Sequence, residues 1–363
     1  MNADICRIKT PGPLIERIEA FRDSADSDQL RMVNPLIYQS LKNSRKDKSD
    51  SDEAIAQMEK EYYMTTASNI RKLHAATKIL KIFEKEDVLA VPVKGIASIE
   101  ALYHDPGVRP MADIDLLIKQ EDTQRVKDIL ANKGYPYIDS YRGSIDFTDN
   151  ENQAFDLHSR FTRFDVLFHI DYDEIYSRLI ETNLNGQIRV EVLCPEHQLI
   201  HIALHLAPGL YSGLNFINLM DIYYLIRDRD RPIDWEYLIG FSTRSGMNLY
   251  IYGPIYLCAH LLNAKVPESV LEILETGLAK AKTSYIQNEY FESILNRGST
   301  GLKILFERIK WADGFPYKLK LLRMALFPDR SEMVQRYQLP ENSLRIYGFY
   351  MLRIGKLLKE MLT

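Results

Sequence analysis

Asp113 and Asp115 stand two residues apart in the run from Val91 to Ile118, VPVKGIASIEALYHDPGVRPMADIDLLI. In a strand, residues i and i+2 point to the same face, about 7 Å apart along the chain. The residues around them, Ile114, Leu116, Leu117 and Ile118, are apolar. Two carboxylates on one face of an apolar strand repel each other. The arrangement is costly unless a cation or a raised pKa relieves it. A divalent metal holding a phosphate is the simplest relief.

The elements that must position this pair follow from the same run. It reads as a strand over 88–93, a glycine turn at Gly95, a helix from Ile96 to Tyr103, a loop and a second strand over 113–118. Gly95 permits backbone geometry that other residues resist. The helix N-terminus behind it is an anion-binding element. Pro106-Gly107 and Pro110 stiffen the loop His104 to Ala112. A helix over 123–133 ends at Gly134, and a hairpin follows, with arms 136–148 and 153–159 around Asp149-Asn150-Glu151-Asn152. In its second arm Asp156, His158 and Arg160 share a face. A strand is expected over 166–170, a helix over 172–181 and a strand over 187–193.

Before this α/β stretch, residues 13 to 43 read as two short amphipathic helices, the second carrying Leu30, Val33, Leu36, Ile37 and Leu41. Residues 42 to 54, KNSRKDKSDSDEA, form a solvated loop whose cations are an alternative substrate contact. Residues 53 to 86 give a long helical pattern, either continuous or broken once, with an apolar stripe through Ile55, Met58, Tyr62, Ile70, Leu73, Leu80 and Phe83. From Pro195 onward nearly every segment reads as helix, closing with a basic, Leu-rich amphipathic stretch over 342–361 whose apolar stripe is expected to face the core. The expected fold class is α+β, a small mixed sheet flanked by N-terminal helices and a C-terminal helical bundle. The expected domains are a helical part at 1–87, an α/β core at 88–193 and a helical part at 194–363.

The chain has 363 residues and a formal charge of −4, so it carries no global basic field. That disfavours a nucleic-acid partner without excluding local phosphate contacts. Cys6, Cys194 and Cys258 are odd in number and widely spaced, without zinc spacing, which suits a reducing cytoplasm. The first twenty residues lack a basic-then-apolar signal pattern. The most apolar segment, Met247 to Ala264, holds Asn248, Gly253-Pro254 and His260 and reads as a buried, kinked helix, so no membrane association is expected.

Several motifs here resemble the polymerase-beta-like nucleotidyltransferase fold. More narrowly, they resemble a bacterial family of uncharacterised nucleotidyltransferases. The matching residues are Lys94-Gly95, Arg109-Pro110-Met111, Asp113-Ile114-Asp115-Leu116-Leu117, Asp156-Leu157-His158, Leu219-Met220-Asp221-Ile222 and Asp234-Trp235. The resemblance spans roughly residues 28 to 245. It implies transfer of a nucleoside monophosphate from a triphosphate to an acceptor hydroxyl, with Mg2+ or Mn2+ as cofactor. Asp113 and Asp115 would hold metal. Asp156 would be the third acid, binding the catalytic metal and helping to deprotonate the acceptor, with Asp165 and Asp171 as fallbacks. The Gly95 turn would cradle the triphosphate. Ile96 stands where the wider superfamily has serine or a second glycine, and Ser98, a turn on, is the candidate substitute.

Lys94 and Arg109 are the candidate phosphate cations, the alternative for Arg109 being a salt bridge to Asp113 or Asp115. His158 would orient the acceptor or move a proton, or else serve as a structural histidine. His197, His201 and His205 recur at helical spacing and read as a polar seam between bundle and core rather than a metal stripe. Asp221, in an apolar helix, needs a partner, an arginine or one of these histidines. A substrate-pocket role is its alternative. The expected partners are a nucleoside triphosphate and an acceptor, a small molecule or protein in preference to RNA. The competing expectations are a nucleotide-binding module that no longer transfers, and a toxin of a toxin–antitoxin pair using the same chemistry.

Overall fold

The computed structural model describes residues 32–44, 53–139, 144–162, 164–207, 216–288, 302–312, 315–340 and 342–362. The first expected helix and most of the charged loop lie outside these residues. Helix α1 (Asn34–Ser44) leads to α2 (Glu53–Lys85), which runs unbroken because it contains neither Gly nor Pro. The chain then forms β1 (Ala90–Pro92) and α3 (Lys94–Ser98), which passes directly into a π-turn at Ile99–Tyr103. Next come β2 (Ile114–Ile118), α4 (Thr123–Asn132), β3 (Tyr137–Asp139), β4 (Ile145–Thr148) and β5 (Ala154–His158).

These five strands make one mixed sheet in the order β1-β2-β5-β4-β3. β2 and β5 are parallel, and the other neighbours are antiparallel. The β4–β5 hairpin turns where expected. Asp149 accepts from the backbone of Glu151 and Gln153 at 2.9 and 2.8 Å, and Asn152 takes a left-handed φ of 59°.

Three expectations change after β5. A 3-10 turn at Asp165–Leu167 replaces the strand expected over 166–170. Helix α5 (Tyr172–Ser177) stops early, and β6 (Ile180–Leu184) pairs with β7 (Ile188–Val192) as a separate hairpin. The cause is the Asn185-Gly186 turn, where both residues have positive φ, 52° and 61°. Such a pair closes a tight hairpin, here with the three-residue loop Asn185-Gly186-Gln187 between the paired Leu184 and Ile188.

The C-terminal part is helical, with α6 (Pro195–Leu206), α7 (Phe216–Arg227), α8 (Trp235–Ser245) and α9 (Asn248–Leu261) in order. Then follow α10 (Glu268–Glu275), α11 (Lys280–Asn288), α12 (Leu302–Trp311), α13 (Phe315–Leu326), α14 (Arg330–Arg336) and α15 (Ile346–Leu362). α9 holds Pro254 and is buried over most of its length, and among the described residues no helix is long and apolar enough to cross a membrane. In α15 Ile346 is buried and Phe349, Tyr350 and Ile354 are half-buried along one face, whereas Tyr347, Met351 and Leu352 are exposed on the other, so only part of the expected apolar stripe faces inward. Cys194 and Cys258 are buried and free, and Cys6 lies outside the described residues.

The sheet separates two cores. On one side Ile114, Leu116, Ile118, Phe155 and Leu157 pack with Leu73, Ile79 and Phe83 of α2 and Val126 of α4. On the other, Val91, Val93, Leu117 and Phe161 join the apolar faces of α6, α7 and α9. Side chains alternate along β2, so Asp115 shares the second side with Leu117 and faces the helical bundle.

Candidate active site

The parallel register sets Asp115 of β2 directly beside Asp156 of β5, and Leu117 beside His158. Lys94 closes the group from the end of β1. Its φ of 51° lies in the left-handed region, uncommon for a residue with a side chain. In that conformation its Nζ donates to Asp115 Oδ1 at 2.5 Å. The same oxygen lies 2.9 Å from His158 Nε2, which is also 3.2 Å from Asp156 Oδ2. Ligand atoms of Asp115, Asp156 and His158 all lie within 4.8 Å of one another, the one such group of metal-binding side chains among the described residues. Asp113 falls just ahead of β2, half-buried, and stands outside that close group.

The acids differ in their electrostatics. Burial alone would raise the Asp115 carboxyl, but the Lys94 charge and the His158 hydrogen bond outweigh it and hold the group well below the usual carboxylate range. Lys94 is raised in turn, because the charge of Asp115 and the hydrogen bond to it overcome the burial that would lower it. Asp156 is pushed up to about 6, first by burial and then by the Asp115 charge. Asp113 is raised for the same two reasons.

Three carboxylates therefore face one ammonium, and negative charge is left over. Asp156 Oδ1 is buried and has no hydrogen-bond partner. A buried oxygen without a partner is expensive. Oxygen donors, excess negative charge and an orphaned carboxylate oxygen fit a hard divalent cation.

The other candidate site residues have different tasks. Arg109 does not bridge to Asp113 or Asp115. Its Nε and Nη2 donate to Asp221 at 3.2 and 2.6 Å, Nη2 also to Asn218 at 3.2 Å, and Nη1 to the Pro110 carbonyl at 3.1 Å. Asp221 is fully buried on α7, so this ion pair joins the loop before β2 to the helical bundle. Gly95 has no unusual φ. It is glycine because a Cβ there would lie 2.5 Å from Arg109 Nη1 and 2.6 Å from Met111. Ser98 is completely buried with its hydroxyl unpartnered, away from solvent.

Of the fallback acids, Asp165 accepts from Tyr172 at 2.6 Å and Arg160 at 3.2 Å, and Asp171 caps α5 by accepting from the Glu174 amide at 3.0 Å. His197 and His201 on α6 are buried, His197 bonding Tyr237 at 2.9 Å, and burial pushes both below the ordinary histidine value. They form the expected polar seam. His201 packs against Phe161, which follows β5, with ring centroids 5.1 Å apart. Lys72 of α2, which is not among the residues expected at the site, is a buried lysine within electrostatic reach of Asp113. The signal available was a polar residue in phase with the apolar stripe.

The site is thus a pair of acids from two parallel neighbours in a small mixed sheet backed by helices. The profile of the family described as uncharacterised nucleotidyltransferase matches residues 29–263, and the chain belongs to that family. Two solved structures are similar to it at low identity. One is the lincosamide antibiotic adenylyltransferase LnuA with lincomycin bound, at 20% identity over 41% of this chain and 93% of that one, TM-score 0.30. The other is an antigenic nucleotidyltransferase-like protein from Paracoccidioides brasiliensis, at 17% identity over 55% and 96%, TM-score 0.35. Neither likeness is close enough to bear on the chemistry. No curated protein matches the chain significantly.

Proposed function

We propose that the chain is a metal-dependent nucleotidyltransferase in which Asp115 and Asp156, with Asp113 beside them, hold Mg2+ or Mn2+ and a nucleoside triphosphate. The observation that carries this reading is the side-by-side placement of Asp115 and Asp156, with Asp156 Oδ1 buried and unpartnered. When bound, the metal would supply charge neutralisation at the phosphate oxygens.

The protein groups divide the remaining work. Asp156, with a pKa near 6, is the carboxylate suited to take the proton of the acceptor hydroxyl close to neutral pH. The acceptor oxygen then bonds to the α-phosphorus, the bond from that phosphorus to the bridging oxygen breaks, and pyrophosphate leaves. His158 touches both acids and fixes their orientation. Lys94 neutralises Asp115, so that the two carboxylates can stand together. Arg109 and Asp221 brace the loop that delivers Asp113. The charge of −4 favours a small molecule or a protein side chain over RNA as acceptor.

One observation favours a second reading. Lys94 already sits on Asp115, as a built-in cation would in a nucleotide-binding module that has lost transfer. Incubation with α-labelled triphosphates and a cell extract separates the two. The wild-type chain is expected to label an acceptor only with divalent metal present, and Asp115→Asn to label none. Metal-dependent nucleotide binding without label in any acceptor would favour the binding module. Label transferred equally by Asp115→Asn would reject the site.

A further inference from the structure

Two of the cations near the acids are committed. Lys94 is paired with Asp115 and Arg109 with Asp221. The third, Lys72 on α2, is not. It is 7% exposed, yet its Nζ donates only to Ser68 Oγ, at 2.7 Å, and among the described residues it forms no ion pair. Lysine is rarely buried unless paired, and an unmatched ammonium inside a protein is costly. Burial pushes its amine below the ordinary lysine value, Arg71 adds to that, and Asp113 opposes it.

Its position is fixed by a neighbour. Asn69, one turn earlier on the same face of α2, donates to the carbonyls of Pro106 and Arg109 at 2.7 and 2.8 Å. These bonds hold the loop before β2 against the helix. Residues i and i+3 on a helix are neighbours, so Lys72 stands one turn further along that face. Asp113 follows the loop directly, and its charge reaches Lys72.

We propose that Lys72 is a binding residue for the triphosphate tail of the nucleotide, supplied to the active site by α2. The inference rests on the nucleotidyl-transfer reading above. A metal-bound triphosphate keeps residual negative charge, and an ammonium is a compact partner for it. Bound phosphate would give Lys72 the counter-charge that the protein alone does not. Keeping such a group at a cost to the empty protein is what a site built for an anion requires.

The test compares wild type, Lys72→Met and Lys72→Ala by calorimetry and thermal shift. The probes are the four nucleoside triphosphates with Mg2+, the monophosphate of the best binder, and inorganic tripolyphosphate with Mg2+. Lys72→Met is expected to bind the triphosphate and tripolyphosphate at least tenfold more weakly. It should leave monophosphate binding within twofold, and its Tm without ligand should be unchanged or higher. Triphosphate binding within twofold of wild type would overturn the assignment of Lys72 and leave the transfer reading intact. Loss of all three ligands together with a lower Tm in both variants would also overturn it, in favour of a structural lysine. If wild type binds none of the four triphosphates with metal present, the nucleotide reading itself fails and this inference with it.

Discussion

Asp156→Asn is expected to lower kcat/KM for nucleotidyl transfer by at least ~10^3-fold while the chain stays folded. The substitution keeps the shape of the side chain and removes the charge and the proton-accepting oxygen. A stability readout accompanies the loss. Asp156 rises from an ordinary 3.8 when unfolded to about 6 in the folded protein. Below about pH 4 it is protonated in both states and contributes nothing. As pH rises through about 6 the unfolded chain releases its proton first, so ionisation disfavours the folded state, and above that pH the penalty is constant. Asp156→Asn should therefore melt higher than wild type at pH 8 in the absence of divalent metal. The gap should close as pH falls from 6 towards 4, and also when Mg2+ is added to wild type. Thermal melts across that range with and without the metal check this. A variant that melts below wild type at pH 8 would mean that the carboxylate is matched inside the protein and needs no cation.

Asp221→Asn is expected to carry the largest stability loss, about 3–5 kcal/mol, because it leaves a buried guanidinium without its counter-charge. Arg109 is 5% exposed and Asp221 is fully buried, so water cannot replace the lost partner. Removing both charges, as Arg109→Met with Asp221→Leu, should recover much of that loss, since an apolar pair of similar volume is often as stable. The double variant should still be slow in transfer, because Arg109 also orders the loop that ends at Asp113. Urea unfolding of wild type and the two variants measures the effect. A cost below about 1 kcal/mol for Asp221→Asn would put this pair on the scale of a solvated surface contact.

The acid group was legible because alternation along a strand is simple. Asp115 and Asp156 each sit in an apolar run that could be read as β, and the fold had only to set the two runs side by side. Asp113 was less well read, because β2 begins at Ile114 and His158 takes the near position instead. Asp221 could be seen to need a partner, since no acid is stable in an apolar helix alone. Its partner could not be named, because Arg109 lies 112 residues away and only tertiary packing joins them. The stripe on α2 was right at Leu73 and Phe83 and wrong at Ile70, which is 53% exposed. Periodicity gives the phase of a helix only approximately. It also hid Lys72 and Asn69, polar residues on the buried face. The strand expected over 187–193 is β7, but its hairpin partner β6 was not read, although Asn185-Gly186 between them is a plain turn signal.

Diffraction from crystals soaked with Mn2+ and a non-hydrolysable nucleoside triphosphate, recorded at the manganese edge, tests the central claim most directly. The account predicts an anomalous peak between Asp115 and Asp156, about 2.2 Å from carboxylate oxygens, with the triphosphate against it. Manganese bound elsewhere, or both acids still held by Lys94 and His158 alone while nucleotide is bound, would contradict it.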